Sequence, residues 1–203
     1  MTAYGEYVKN ADKIRDLYVS EKKSNNWRSD FDFTNRIIGG EPARLNDVRW
    51  FAQILNFTGN GRLCGGFSFA SRGILTSKHC IVNINDFKKL EFQVRVNSVV
   101  LGYGQLIQIK QIIINEDYDL ALLITETIQH DFLRLSTRDE IPNEKAEFFG
   151  FGVIGFEGSK PMIPENLQHV KLKIIRQNLV DDLLPEMIPT TGRLTSGDSG
   201  GGL

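Results

Sequence analysis

Gly197-Asp198-Ser199-Gly200-Gly201 is the stretch on which the fold and chemistry of this chain turn. A serine hydroxyl is a weak nucleophile near neutral pH. It becomes a strong one beside an imidazole that takes its proton and a carboxylate that fixes the imidazole's tautomer. The small neighbours of Ser199 let the backbone approach a substrate, and they leave the N–H groups of Gly197 and Ser199 free to face an oxyanion. Ser199 is therefore the candidate nucleophile. Of the three histidines, His79 lies in Thr76-Ser77-Lys78-His79-Cys80 and is the candidate base, while His130 and His169 lie in no motif and read as surface or structural residues. Asp119 opens Asp119-Leu120-Ala121-Leu122-Leu123 and is the candidate orienting carboxylate. Its bland alternative, taken without the other motifs, is a residue that caps a turn or satisfies backbone donors.

Around these residues the hydrophobic pattern has a period of two. Leu90, Phe92, Val94 and Val96 alternate with Glu91, Gln93 and Arg95, and Val170, Leu172 and Ile174 interleave with Lys171 and Lys173. Strands with one buried face read this way, so the body is antiparallel β, sandwich or barrel. Before Arg36 the pattern differs: Tyr7, Ala11, Ile14 and Leu17 or Tyr18 recur at helical spacing, predicting one amphipathic helix. The Gly and Pro cluster from Gly155 to Pro164 reads as a surface loop. The two cysteines, Cys64 and Cys80, do not have the paired CxxC spacing of a zinc site and read as a disulfide. Such a bridge stabilises by about 3 kcal/mol in the chain-entropy model, pins the segment carrying His79 and requires an oxidising compartment. Asn56-Phe57-Thr58 is an N-glycosylation sequon beside the turn Gly59-Asn60-Gly61, which makes Asn56 a candidate glycan site on an exposed hairpin. A net charge of -1 suggests neither nucleic acid nor an anionic membrane as partner, and no apolar run reaches the length of a membrane span.

Gly-Asp-Ser-Gly-Gly also satisfies the Gly-x-Ser-x-Gly elbow of α/β-hydrolases, but those enzymes place acid and histidine after the serine. Here the order is His79, Asp119, Ser199, and with it come further motifs in succession. Arg36-Ile37-Ile38-Gly39-Gly40 looks like an activation junction; Cys64-Gly65-Gly66 precedes the histidine segment, and Phe149-Gly150-Phe151-Gly152 is an aromatic-glycine turn. Together these resemble the chymotrypsin and trypsin-like serine proteases. The resemblance implies an all-β fold of two antiparallel β-barrels behind a short pro-segment: residues 1–36 as pro-segment, 37–130 as first barrel with His79 and Asp119, and 131–203 as a partial second barrel with Ser199. It implies a secreted precursor cut between Arg36 and Ile37, after which the new ammonium of Ile37 pairs with Asp198. It implies a protein or peptide substrate, an activating protease and proteinaceous inhibitors as partners, and neither metal nor cofactor.

The departures from the family pattern carry expectations of their own. Lys78 stands where the family usually has a small residue, and its charge would oppose a protonated imidazole or need a partner of its own. Arg193, six residues before Ser199, and Thr195, in place of a cysteine, do not support specificity for basic side chains. The chain stops at Leu203, four residues beyond Ser199, whereas the family continues with strands that wall the specificity pocket. The alternative expectation is thus a catalytically inactive or truncated homologue that acts, if at all, by binding.

Overall fold

The computed structural model describes residues 40–56, 63–82, 91–128, 131–135, 142–158, 160–175 and 198–201. The N-terminal apolar stripe, the Arg36-Ile37 junction, Leu90, His130, Arg193 and Gly197 lie outside these residues.

The described chain forms β1 (Glu41–Pro42), β2 (Phe51–Asn56), β3 (Leu63–Ala70), β4 (Gly73–Thr76), β5 (Phe92–Val96), β6 (Gln105–Ile107), β7 (Ile109–Ile114), β8 (Ala121–Thr125), β9 (Lys145–Gly150), β10 (Gly155–Glu157), β11 (Lys160–Met162) and β12 (Gln168–Lys173). Seven of these strands make one antiparallel sheet in the order β6-β5-β2-β3-β4-β8-β7. Irregular register between Ser68 and Ala70 and between Ile109 and Gln111 sharpens the twist, so the sheet curls around an interior. A second sheet has the order β1-β12-β9, and β10 pairs with β11 alone. The segment expected to be a loop from Gly155 to Pro164 therefore contains a short hairpin, whose ladder runs from Gly155↔Met162 to Glu157↔Lys160. Gly158 turns it at φ +61°.

Two buried clusters divide the side chains of β2 between them. Ala52 and Ile54 point into the curled sheet with Ile74, Ile81, Val94, Val96 and Leu123. Phe51 and Leu55 point the other way, joining Trp50, Leu101, Phe149, Phe151 and Leu167. Both faces are thus covered, which is why Phe51-Ala52-Gln53-Ile54 shows no alternation in sequence. Trp50 meets Phe149 edge to face at 5.2 Å and Phe51 meets Phe151 at 5.9 Å, so aromatic contacts seal the first sheet against β9 and the segment after it. Gln53 is fully buried on the second face: its amide donates to the carbonyls of Ser98, Val100 and Tyr103, and its Oε1 accepts the N–H of Gly102.

The expected alternation holds in part. Val94 and Val96 are buried and Leu172 is buried, as a one-sided strand requires. Arg95, expected in solvent, is 5% exposed, because the loop after β5 folds over it and its guanidinium donates to the Gly104 carbonyl and to Gln93 Oε1. Asn56, the expected glycan site, is 1% exposed at the end of β2, opposite Phe92, and the rest of its sequon lies outside the described residues.

Candidate active site

The ladder between β4 and β8 brings the first two candidate residues together. Thr76 lies opposite Ala121 at its end. The chain that leaves Thr76 turns through Ser77 into one turn of 3-10 helix, Lys78–Cys80, while Asp119 immediately precedes Leu120 and Ala121 on the facing strand. Residues far apart in sequence thus leave the sheet at the same place.

Each side of the pair is fixed locally. The helical turn closes through Cys80 N–H to Ser77 O at 3.1 Å and Ile81 N–H to Lys78 O at 2.9 Å. Cys80 is bridged to Cys64 on β3, across 16 residues of sequence, which ties the turn to the centre of the sheet. On the other side the β7–β8 hairpin turn is built by Asn115, whose Oδ1 accepts the N–H groups of Asp117 and Tyr118, both at 2.9 Å. Its own N–H donates to Leu120 O at 2.9 Å. An asparagine that bonds its own backbone two and three residues on favours such a turn.

Asp119 then reaches His79 twice. Its Oδ1 accepts the backbone N–H of His79 at 2.9 Å, and its Oδ2 lies 2.6 Å from His79 Nδ1. A carboxylate in that position favours the tautomer with the proton on Nδ1, leaving Nε2 as the acceptor. The side chains are 24% and 52% exposed, so hydrogen bonds rather than enclosure hold the carboxylate in place.

The Ser199 segment is clamped between the two sheets. Ser199 O accepts the N–H of Gly65 on β3 at 2.7 Å. Gly200 has φ +73°, and a Cβ there would run into Gly65 O, Thr76 Oγ1 and Ser77 N, the strand end that leads to His79. A Cβ on Gly201 would meet Phe148 and Phe149 O at 2.6 Å. Asp198 is 2% exposed, and its Oδ1 accepts the N–H of Gly152 at 2.8 Å. The carboxylate occupies the space a side chain at Gly150 would need. Sequence reasoning singled out Phe149-Gly150-Phe151-Gly152 as a turn but missed that it holds Asp198, since no spacing links residues so far apart.

His169, read as structural, stacks on Phe149 at 4.9 Å and lies 3.3 Å from Glu147. Ligand atoms of Cys64, His79 and Cys80 lie within 4.8 Å of one another, the one such group among the described residues. Both sulfurs are consumed in the disulfide, so the group offers a metal no thiolate.

A protein-family model described as Trypsin matches residues 37–203. The chain belongs to the trypsin family. Among relatives of this trypsin-family chain, Hypodermin-A of Hypoderma lineatum is 29% identical over 153 residues, covering 70% of this chain and 58% of that protein. Trypsin Tyr p 3.0101 of Tyrophagus putrescentiae is 26% identical over 195 residues, covering 82% of this chain and 66% of that protein. The chain therefore spans less than two thirds of the length of these relatives. The solved structure of GrC aligns with a TM-score of 0.67 at 21% identity, over 82% of this chain and 83% of that one, which bears out the trypsin-like all-β fold. Among the described residues no helix is long and apolar enough to cross a membrane.

Proposed function

We propose that this trypsin-family protein is the precursor of a secreted serine endopeptidase. Ser199 Oγ attacks the peptide carbonyl, and His79 Nε2 takes the hydroxyl proton and returns it to the leaving amine. Asp119 holds His79 in the required tautomer, the N–H groups of Gly197 and Ser199 face the oxyanion, and water then hydrolyses the acyl-enzyme. The observation that carries this reading is the double contact between Asp119 and His79, beside a Ser199 segment seated on the same strand end. The partners are a protein or peptide substrate, an activating protease and proteinaceous inhibitors.

Cleavage between Arg36 and Ile37 is the proposed activation step, dividing a pro-segment, 1–36, from the two halves 37–130 and 131–203. The family match begins at Ile37, which supports that division. The burial of Asp198 supports the rest. A carboxylate at 2% exposure is tolerated only with hydrogen-bond and charge partners around it; the N–H of Gly152 is one, and the new ammonium of Ile37 is the charge partner proposed here.

The test is labelling by a fluorophosphonate after cleavage at Arg36. Covalent label on Ser199, abolished by Ser199→Ala, is the expected result. A cleaved, folded chain that takes no label would sink the catalytic reading in favour of a homologue that only binds.

A further inference from the structure

Lys78 is the residue at which the chain departs from its family next to the proposed base, and the structure shows what it holds. Its Nζ donates to Asn115 O at 3.2 Å and Glu116 O at 3.4 Å, both in the turn that carries Asp119. From the opposite side of the gap, Asp119 donates nothing and accepts twice from His79, through the backbone N–H and Nδ1. The two short segments are therefore cross-braced: residue 78 grips the backbone just before Asp119, and residue 119 grips residue 79. Asn115 stiffens the turn between those grips with its own side chain.

We propose that Lys78 is a positioning residue that fixes the Asp119 carboxylate against His79. The proposal rests on the reading of His79 and Asp119 given above. Its physical basis is the exposure of Asp119, whose side chain is 52% open to solvent. A carboxylate that packing does not enclose stays in register only if its backbone does, and an ammonium bound to two carbonyls of that backbone restrains it through charge-assisted hydrogen bonds. The same two carbonyls give the lysine charge the partner it needs beside an imidazole that becomes cationic during turnover. An uncharged side chain of the same length would fill the space without supplying the restraint.

The test uses the full chain cut at Arg36. In a Ser199→Ala background, the downfield proton resonance of His79 Nδ1–H and its exchange with water report the Asp119 contact directly, whatever the activity. Lys78→Met is expected to broaden that resonance and speed its exchange, and Lys78→Arg, which keeps charge and donors, to restore it. With Ser199 present, Lys78→Met should lower kcat about 3- to 10-fold on a peptide ester with KM unchanged, and Lys78→Arg should recover most of the loss. A Lys78→Met chain whose resonance, exchange and kcat all match the parent overturns the proposal. A resonance that survives Asp119→Asn overturns the His79–Asp119 reading and the proposal with it, which separates the two failures.

Discussion

Gly200→Ala isolates the positioning of Ser199 from everything else in the site. At φ +73° an alanine is strained by about 1–2 kcal/mol through its backbone alone. The larger effect is the collision. The new Cβ meets Gly65 O and Thr76 Oγ1, and these atoms are hydrogen-bonded to each other at 2.8 Å on adjacent paired strands. Neither can yield without opening the β3–β4 ladder, so the 198–201 segment must shift instead. That shift stretches the 2.7 Å bond from Gly65 N–H to Ser199 O, a further loss of about 1 kcal/mol. The total of about 2–3 kcal/mol would lower the melting temperature by roughly 5–10 °C while leaving the chain folded. Displacing the nucleophile by ~1 Å is worth about 100-fold in rate, and the second-order rate of phosphonate labelling should fall by that factor. Gly158→Ala is the control: φ is +61° there, but nothing lies within 4 Å of the added Cβ. It should carry the backbone strain with no change in labelling. If Gly200→Ala labels within about threefold of the parent, Ser199 is not held by this clamp.

Two other changes probe the rest of the frame. Asp119→Asn keeps an oxygen for the His79 backbone N–H but turns an amide donor toward Nδ1, forcing the wrong tautomer. The expected loss in kcat is about 10⁴-fold, the size a tautomer error carries in a Ser-His-Asp triad, with an unchanged urea midpoint; retention of kcat would remove Asp119 from the mechanism. Replacing Cys64 and Cys80 together by alanine should lower unfolding free energy by about 3 kcal/mol, for a closed loop of 16 residues. An unchanged urea midpoint would show that the bridge does not constrain the chain.

How much of this was legible in the sequence depended on how many faces of each strand are covered. β12 is buried at Leu172 and exposed at Lys171 and Lys173, so its period of two was plain. β2 is buried at every residue, and no alternation betrays a strand whose two faces belong to different cores. Arg95 misled for the same reason, since a loop closing over the outer face is written nowhere in the local pattern. The site was legible as motifs and not as contacts. His79 and Asp119 stand 40 residues apart, and only the pairing of β4 with β8 makes them neighbours. Lys78 was visible as a departure that needed a partner, but its acceptors are backbone carbonyls, which carry no sequence signal.

The glycines of β3 show why motif and contact are still connected. Cys64 and Gly65 are consecutive on a central strand, paired with Ile54 and Gln53 of β2. Successive strand positions face opposite sides of the sheet, so the two act on different parts of the site. Cys64 reaches Cys80 and fixes the turn that presents His79. Gly65 has no side chain, and a Cβ there would meet the Cα of Gly201 at 2.9 Å, so its bareness is what lets the Ser199 segment lie against the strand. Thr76 Oγ1, on the neighbouring strand, donates to the Gly65 carbonyl and completes the seat. In the proposed mechanism, base and nucleophile must hold their separation to a fraction of an ångström. Both are referred to the same rung of one buried ladder, so motion elsewhere in the surrounding loops moves them together rather than apart.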